Sequence, residues 1–251
     1  MTITSPHNEK LKLVHRLGRR RSREREGLFV GEGEDLLAAA KAAGADPVEL
    51  LTAAGEGLGG TEVEPSLLAR VSTLGSGTRA IGIWRQRWAT STVAPCVYLH
   101  GISDPGNVGA IVRTASALIG GSVALGPDCA DPYGPRAVRA SMGAVFGEPL
   151  VRAGVEETPR PRVGLVAHGG ESLDRLEGAA TICVGAEREG LPGEVAEACD
   201  VRVTIPLREG AESLNVAAAA AIALHRICEG APQAKPRSNP FHGEAVRGSD
   251  G

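Results

Sequence analysis

The chain is 251 residues long, 42% hydrophobic and 23% charged, with a formal net charge of −3 at pH 7. This is the composition of a globular protein with apolar side chains enough for one large core or two modest ones. It excludes a uniformly basic nucleic-acid coat, and aromatics at 3% exclude base stacking on an aromatic platform as the main mode of recognition.

Cysteine usage points the same way. The five cysteines (Cys96, Cys129, Cys183, Cys199, Cys228) are scattered, with no Cys-x-x-Cys, and imply no disulfide framework. The six histidines stand at no metal-ligand spacing with each other or with the cysteines. MTITSPHNEK lacks the apolar stretch of a signal peptide and no apolar run approaches a membrane span, so a cytoplasmic location is expected.

In chain order, a basic helix is expected near 8–18. Between Glu9 and Arg25 lie Lys10, Lys12, Arg16, Arg19, Arg20, Arg21, Arg23 and Arg25 against only Glu9 and Glu24, a local footprint suited to phosphates. A strand at GLFVGEG, a helix at EDLLAAAKAAG, a strand at PVELLTA, a helix from Pro65 and a strand at RAIGIWR follow. Their alternation suggests a small α/β sandwich over 1–88. The polar stretch 89–95, ending in proline, reads as a linker. From Cys96, β-branched apolar runs recur at CVYLHGI, SVALG, RVGLVA, TICVGAE and VRVTIPL, separated by helical stretches such as NVGAIVRTASALIG and PRAVRASMGAV. Continuous apolar strands with helical crossovers indicate a parallel sheet covered on both faces over 96–228. The last helix is expected from about Ser213 to Cys228. The Pro- and Gly-rich segment 229–251 is expected to be disordered.

Two stretches imitate known sites and are set aside. FVGEGEDL looks like a dinucleotide turn, but Leu36 occupies the third glycine position and the segment is acidic where a pyrophosphate would lie. AHGGES looks like the oxyanion glycines of esterases, but no G-x-S-x-G occurs anywhere.

In an open α/β sheet, ligands bind beyond the carboxyl ends of the strands, and three strand-to-helix junctions there carry unusual polarity. In LHGISDPGNVGAIVRTASALIG, Asp104-Pro105-Gly106 is turn chemistry, Asn107 is a good N-cap, Gly109 permits close backbone approach, and Arg113 interrupts an apolar helix. In ICVGAEREGLPGE, Gly185 ends a strand and Glu187 lies in a tight loop bounded by Gly190 and Pro192. In IPLREGAESLNVAAAAAIALHRI, Pro206 should stop the strand and Ser213 is an apt N-cap. A cap accounts for Ser213 but leaves Asn215, Glu212 and Arg208 unexplained.

Those residues carry a resemblance. DPGNVGAIVRTASALIG, VGAEREGLP and IPLREGAESLNVAAAAAIAL resemble, in order, the three motifs of the SpoU (TrmH) family of SPOUT-class RNA methyltransferases, and ADPYGPRAVRASMGAVF between the first two resembles the family as well. The likeness covers about 95–228. Residues 1–88 resemble, more loosely, the small α/β substrate-binding domain that many members carry in front.

The resemblance implies an α/β fold with a trefoil-knotted parallel-sheet catalytic domain, a homodimer, and methylation of a ribose 2′-hydroxyl in ribosomal or transfer RNA from S-adenosylmethionine. Periodicity alone would not yield a knot. Carried over by position, Asn107, Arg113, Glu187, Ser213 and Asn215 form the polar catalytic set. Backbone groups at Gly185, Ile205 and Leu214, with Leu207 close by, would hold the methyl donor. Arg113 would steer the target phosphate and 2′-hydroxyl electrostatically, because a guanidinium stays protonated in nearly all protein settings. The cations of 10–25, with Arg136 and Arg139, would grip RNA backbone. His100 departs from the acidic or small polar residue common in the family, and Arg208 and Glu209 make the third motif more charged than usual. Two other functions fit the same residues: a non-catalytic RNA-binding or ribosome-assembly factor, and an RNA base methyltransferase of the same class.

Overall fold

The computed structural model describes residues 2–73 and 77–230. The disorder expected for 229–251 concerns a segment that lies, from residue 231, outside the described residues.

The first part is a four-stranded mixed sheet with helices. Its elements in chain order are α1 (Glu9–Leu17), α2 (Arg20–Glu26), β1 (Leu28–Glu32), α3 (Glu34–Ala42), β2 (Glu49–Ala53), β3 (Thr61–Val63), α4 (Pro65–Val71) and β4 (Ala80–Arg85). The strand order is β1-β4-β2-β3, antiparallel at β1/β4 and β2/β4 and parallel at β2/β3. Helix α1 buries Leu11, Val14 and Leu17 at a three-residue spacing that keeps them on one face. Asn8 caps it by accepting from the Lys10 amide. The short α2 went unread inside the basic run; its signal is Gly27, which closes it at φ +64°. Helix α3 and strand β1 absorb the dinucleotide look-alike. Gly31 lies against the Trp84 ring, and Leu36 is buried in the core.

The second part is a six-stranded, wholly parallel sheet: β5 (Cys96–Leu99), β6 (Ser122–Leu125), β7 (Leu150–Arg152), β8 (Arg162–Leu165), β9 (Thr181–Val184) and β10 (Val201–Val203), in the order β10-β8-β9-β5-β6-β7. Strand β7 was not expected from the sequence. Both faces are covered. Val97, Leu99, Val123, Ile182 and Val184 pack under α5 (Pro105–Leu118) and α8 (Val216–Gly230), while Cys96, Tyr98, Ala124 and Cys183 meet Val195 of α7 (Gly193–Glu197). Helix α6 (Pro135–Ser141) lies against α5, where a Cβ on Gly109 would come within 2.3 Å of the Ala137 carbonyl oxygen. The close approach expected at Gly109 is therefore present.

The two sheets share one core. Phe29 and Trp84 of the first part lie in the same buried cluster as the parallel sheet, with Phe29–Tyr133, Phe29–Phe146 and Trp84–Phe146 ring centroids 4.8–5.7 Å apart. Tyr133 also bonds, through its hydroxyl, the Arg87 backbone. The stretch read as a linker is pinned rather than free. Trp88 bridges Leu150, the Ala89 amide donates to the Leu150 carbonyl at 2.9 Å, and the Val93 amide to Ser122 Oγ at 2.8 Å. An exposed β7 edge offers unpaired backbone groups, and the segment 88–89 satisfies them.

Candidate active site

Helix α5 starts at Pro105, whose ring fixes a helical φ and whose missing N–H costs nothing at the first position. Its N-cap is Asp104, whose Oδ1 accepts from the amides of Gly106 (2.6 Å) and Asn107 (3.2 Å). The capping role expected for Asn107 thus belongs to Asp104, and Asn107 is the third helical residue with its side chain left over. The Asp-Pro pair was the signal.

The same shift occurs at α8. The helix begins at Val216, three residues later than expected, and its cap is Asn215, whose Oδ1 accepts from Ala217 (3.0 Å) and Ala218 (3.3 Å). Ser213 stands too far upstream to reach those amides, so the cap expected at Ser213 is corrected to Asn215. One side chain then does two things, because Asn215 Nδ2 donates to Asn107 Oδ1 at 3.1 Å.

Asn107 is the hub. Its Nδ2 donates to Glu187 Oε1, so its amide joins residues 80 and 108 positions further along the chain. The three polar junctions named from the sequence meet at this side chain. The Glu187 loop is held shut by the Gly190 amide donating to the Ala186 carbonyl at 2.9 Å. Gly185 has no alternative there, since a Cβ would lie 2.1 Å from the Gly190 backbone. Gly101, at φ +68°, brings the end of β5 against Ala186.

His100 sits half-buried at the end of β5. Its amide donates to the Val184 carbonyl and its Nδ1 lies 3.2 Å from the Tyr98 hydroxyl. Burial pushes the Tyr98 phenol up to about 12, so at neutral pH it is an uncharged donor that can orient the imidazole.

The remaining site residues are not drawn into this hydrogen-bonded set among the described residues. Ser213 is exposed and makes no hydrogen bond there. Arg113 is exposed on α5. Six residues past Asn107, it leaves the helix rotated by roughly 240°, on a different face. Along 205–214 one amide, that of Ala211, donates to a backbone carbonyl (Arg208), and Leu214 keeps 38% of its surface exposed. Ile205 and Leu207 are half-buried beside it.

The cationic run divides. Arg16, Arg19 and Arg21 are exposed; Lys12 pairs with Glu9, and Lys10 ties α1 to Glu49 and Thr61. Arg23 is a correction. It is 4% exposed, bonded to Asp131 at 2.7 Å and to the Leu17 carbonyl at 2.8 Å, and so fastens the two parts together rather than meeting RNA. A guanidinium withdrawn from water needs such partners.

Known proteins share this architecture. A Streptomyces laurentii protein named 23S rRNA (adenosine(1067)-2′-O)-methyltransferase is 39% identical over 142 residues, 52% of each chain. This chain spans about half the length of the curated relatives it matches. The AdoMet-bound rRNA methyltransferase from Sinorhizobium meliloti superposes with a TM-score of 0.78 at 27% identity, covering 90% of this chain and 96% of that one. The SpoU methyltransferase AviRb from Streptomyces viridochromogenes, in complex with AdoMet, gives 0.77 at 26%, covering 89% and 98%. Residues 94–225, more than half of the chain and all three junctions, match the SpoU rRNA Methylase family, and the chain belongs to it.

Proposed function

We propose that this chain transfers a methyl group from S-adenosylmethionine to a ribose 2′-hydroxyl of RNA, with ribosomal RNA ahead of transfer RNA. The observation that carries the reading is the Asn107 side chain bonded to both Glu187 and Asn215. The S. laurentii relative's name specifies a 2′-O-methyl product on 23S rRNA, which favours ribose over base and ribosomal RNA over transfer RNA.

The residues fit the cofactor. An adenosine with an amino-acid tail needs backbone donors and acceptors beside apolar walls. The sparsely bonded amides of 205–214, flanked by Ile205, Leu207 and Leu214, provide both, and this loop is tied to the Glu187 turn through Asn215 and Asn107. The cofactor supplies an electrophilic sulfonium methyl when bound. Asn107 holds the Glu187 and Asn215 loops in register, and Ser213, exposed on the third loop, would meet the donor or the target nucleotide. Arg113 binds the target phosphate and draws the 2′-hydroxyl into line. Its position on a separate face of α5 suits delivery into the site of a second copy, so the working unit is a homodimer. The chain following β10 returns past β8 and β9 to place Asn215 beside Asn107, a route that suits a trefoil knot. Holding reactants in line contributes roughly 7–11 kcal/mol in favourable cases.

Tritiated methyl transfer to total RNA, followed by mapping of the labelled nucleotide, tests the reading; label on a base would overturn it. Arg113→Ala should abolish transfer while calorimetry shows donor binding retained. A variant with wild-type turnover removes Arg113 from its role. A wild-type chain that binds RNA but neither donor nor methyl group would be the non-catalytic factor instead.

A further inference from the structure

Away from the Asn107 cluster, two adjoining cavities run along the seam between the two sheets. The larger, about 430 Å³, is bordered by Arg20, Arg136, Arg139, Thr73 and Pro105. The smaller, about 200 Å³, shares Arg20, Ala130 and Asp131 with it and extends to Trp88 and Arg152. Five guanidiniums, those of Arg20, Arg23, Arg136, Arg139 and Arg152, line the pair.

Three carboxylates, those of Asp131, Glu24 and Asp104, answer these five guanidiniums. Asp131 is neutralised by Arg23 beneath the floor, both side chains being buried. Glu24 is shared between Arg20 (3.0 Å) and Arg152 (3.8 Å). Arg136, 74% exposed, makes a 3.3 Å contact with Asp104, and Arg139 is exposed with no ion partner among the described residues. A chain of net charge −3 therefore presents a local cationic trench. The trench also leads somewhere. Pro105 is the first residue of α5, and Asp104, the partner of Arg136, caps the turn that carries Asn107. Charge reaching Arg136 is felt two hydrogen bonds from the hub of the site.

We propose that this trench is the track for a single-stranded RNA segment next to the methylated nucleotide, with Arg136 and Arg139 each holding one phosphate and Arg20 and Arg152 holding the strand's continuation. The proposal rests on the RNA methyltransferase reading and adds the strand's path to it. A duplex is too wide for cavities of this size, and splayed single strands are the form of RNA that proteins read most specifically. Arg152 covers the Trp88 ring at 4.2 Å, so the wall recognises backbone charge rather than a stacked base.

The test uses the full-length protein and a fluorescein-labelled twelve-residue oligouridylate, with binding read by anisotropy from 50 to 200 mM KCl. Each phosphate contact on a single strand contributes about 0.7 to the slope of log affinity against log salt. Arg136→Ala/Arg139→Ala should therefore lower the slope by about 1.4, and Arg136→Lys/Arg139→Lys should keep most of it. Both side chains are exposed, so melting temperature should not move. An unchanged slope in the alanine pair overturns the proposal, as does a wild-type chain that ignores the oligonucleotide or prefers a duplex of equal length. Donor binding by calorimetry and methyl transfer to total RNA, measured alongside on the wild type, separate the two readings. If those are present and the slope is unmoved, the track is wrong. If those are absent, the methyltransferase reading is wrong.

Discussion

The seam between the sheets and the cluster at the strand ends solve opposite problems. At the seam, Phe29, Trp84, Trp88, Tyr133 and Phe146, five of the seven aromatic residues in the chain, lock together in contacting pairs around a buried Arg23–Asp131 pair. Nothing there is left to chance, because an interior at crystal-like density tolerates neither voids nor unpaired charge. At the strand ends, Asn107, Glu187 and Asn215 lie near the surface and hold one another by single hydrogen bonds. Exposed bonds of that kind add little net stability each. The difference teaches that rigidity is supplied by the seam and used at the strand ends, where the proposed function requires cofactor and RNA to exchange.

The two regions should break differently. Asp131→Ala strands the Arg23 guanidinium and should cost about 3–5 kcal/mol in denaturant unfolding. The paired replacement Arg23→Met/Asp131→Leu should recover much of that, and a paired variant as unstable as the single one would show that the charge is not the cause. Trp84→Ala removes a buried ring and its hydrogen bond to the Ala45 carbonyl, and should likewise cost roughly 3–5 kcal/mol.

The protonation of the parallel sheet's inner face is a milder probe. Burial raises Cys96 from 9.0 to about 12 and Tyr98 from 10.0 to about 12. The folded state keeps both protons where the unfolded chain would release them. Stability is therefore full below pH 9 and declines as pH climbs toward 12, and denaturant midpoints at pH 8 and 10 should show the fall. Asn215→Ala removes a helix cap and should cost only about 1 kcal/mol, yet it should depress methyl transfer far more than its stability loss accounts for. Ser213→Ala, which caps nothing here, should leave stability within about 0.5 kcal/mol and be visible in turnover alone. A turnover loss no greater than the stability loss in both variants would mean that the cluster is packing and not a site.

Much of this was legible before any coordinates. The parallel sheet covered on both faces followed from uninterrupted β-branched runs, and Gly109's close approach from its place in an apolar helix. Strand β7 was missed because Leu150–Arg152 offers only three residues of signal, and α2 because a run of charge hides helical periodicity. The caps were misplaced by three residues at α5 and by two at α8. Asp104, Asn107, Ser213 and Asn215 are all competent N-caps by residue type, and only the start of each helix selects among them.

What the sequence by itself determined is the inventory: which segments are strands, which junctions are polar, and the family they resemble. Local propensity and side-chain period are written residue by residue, so they can be read that way. What only the tertiary structure decided is pairing across distance. Arg23 belongs to Asp131 and not to a phosphate, the segment 88–89 belongs to the edge of β7, and Asn107 belongs to Glu187 and Asn215. Whether a cation or an amide faces water or a partner depends on contacts about 60 to 108 residues apart in the chain, where desolvation and hydrogen-bond geometry decide and sequence spacing carries no information.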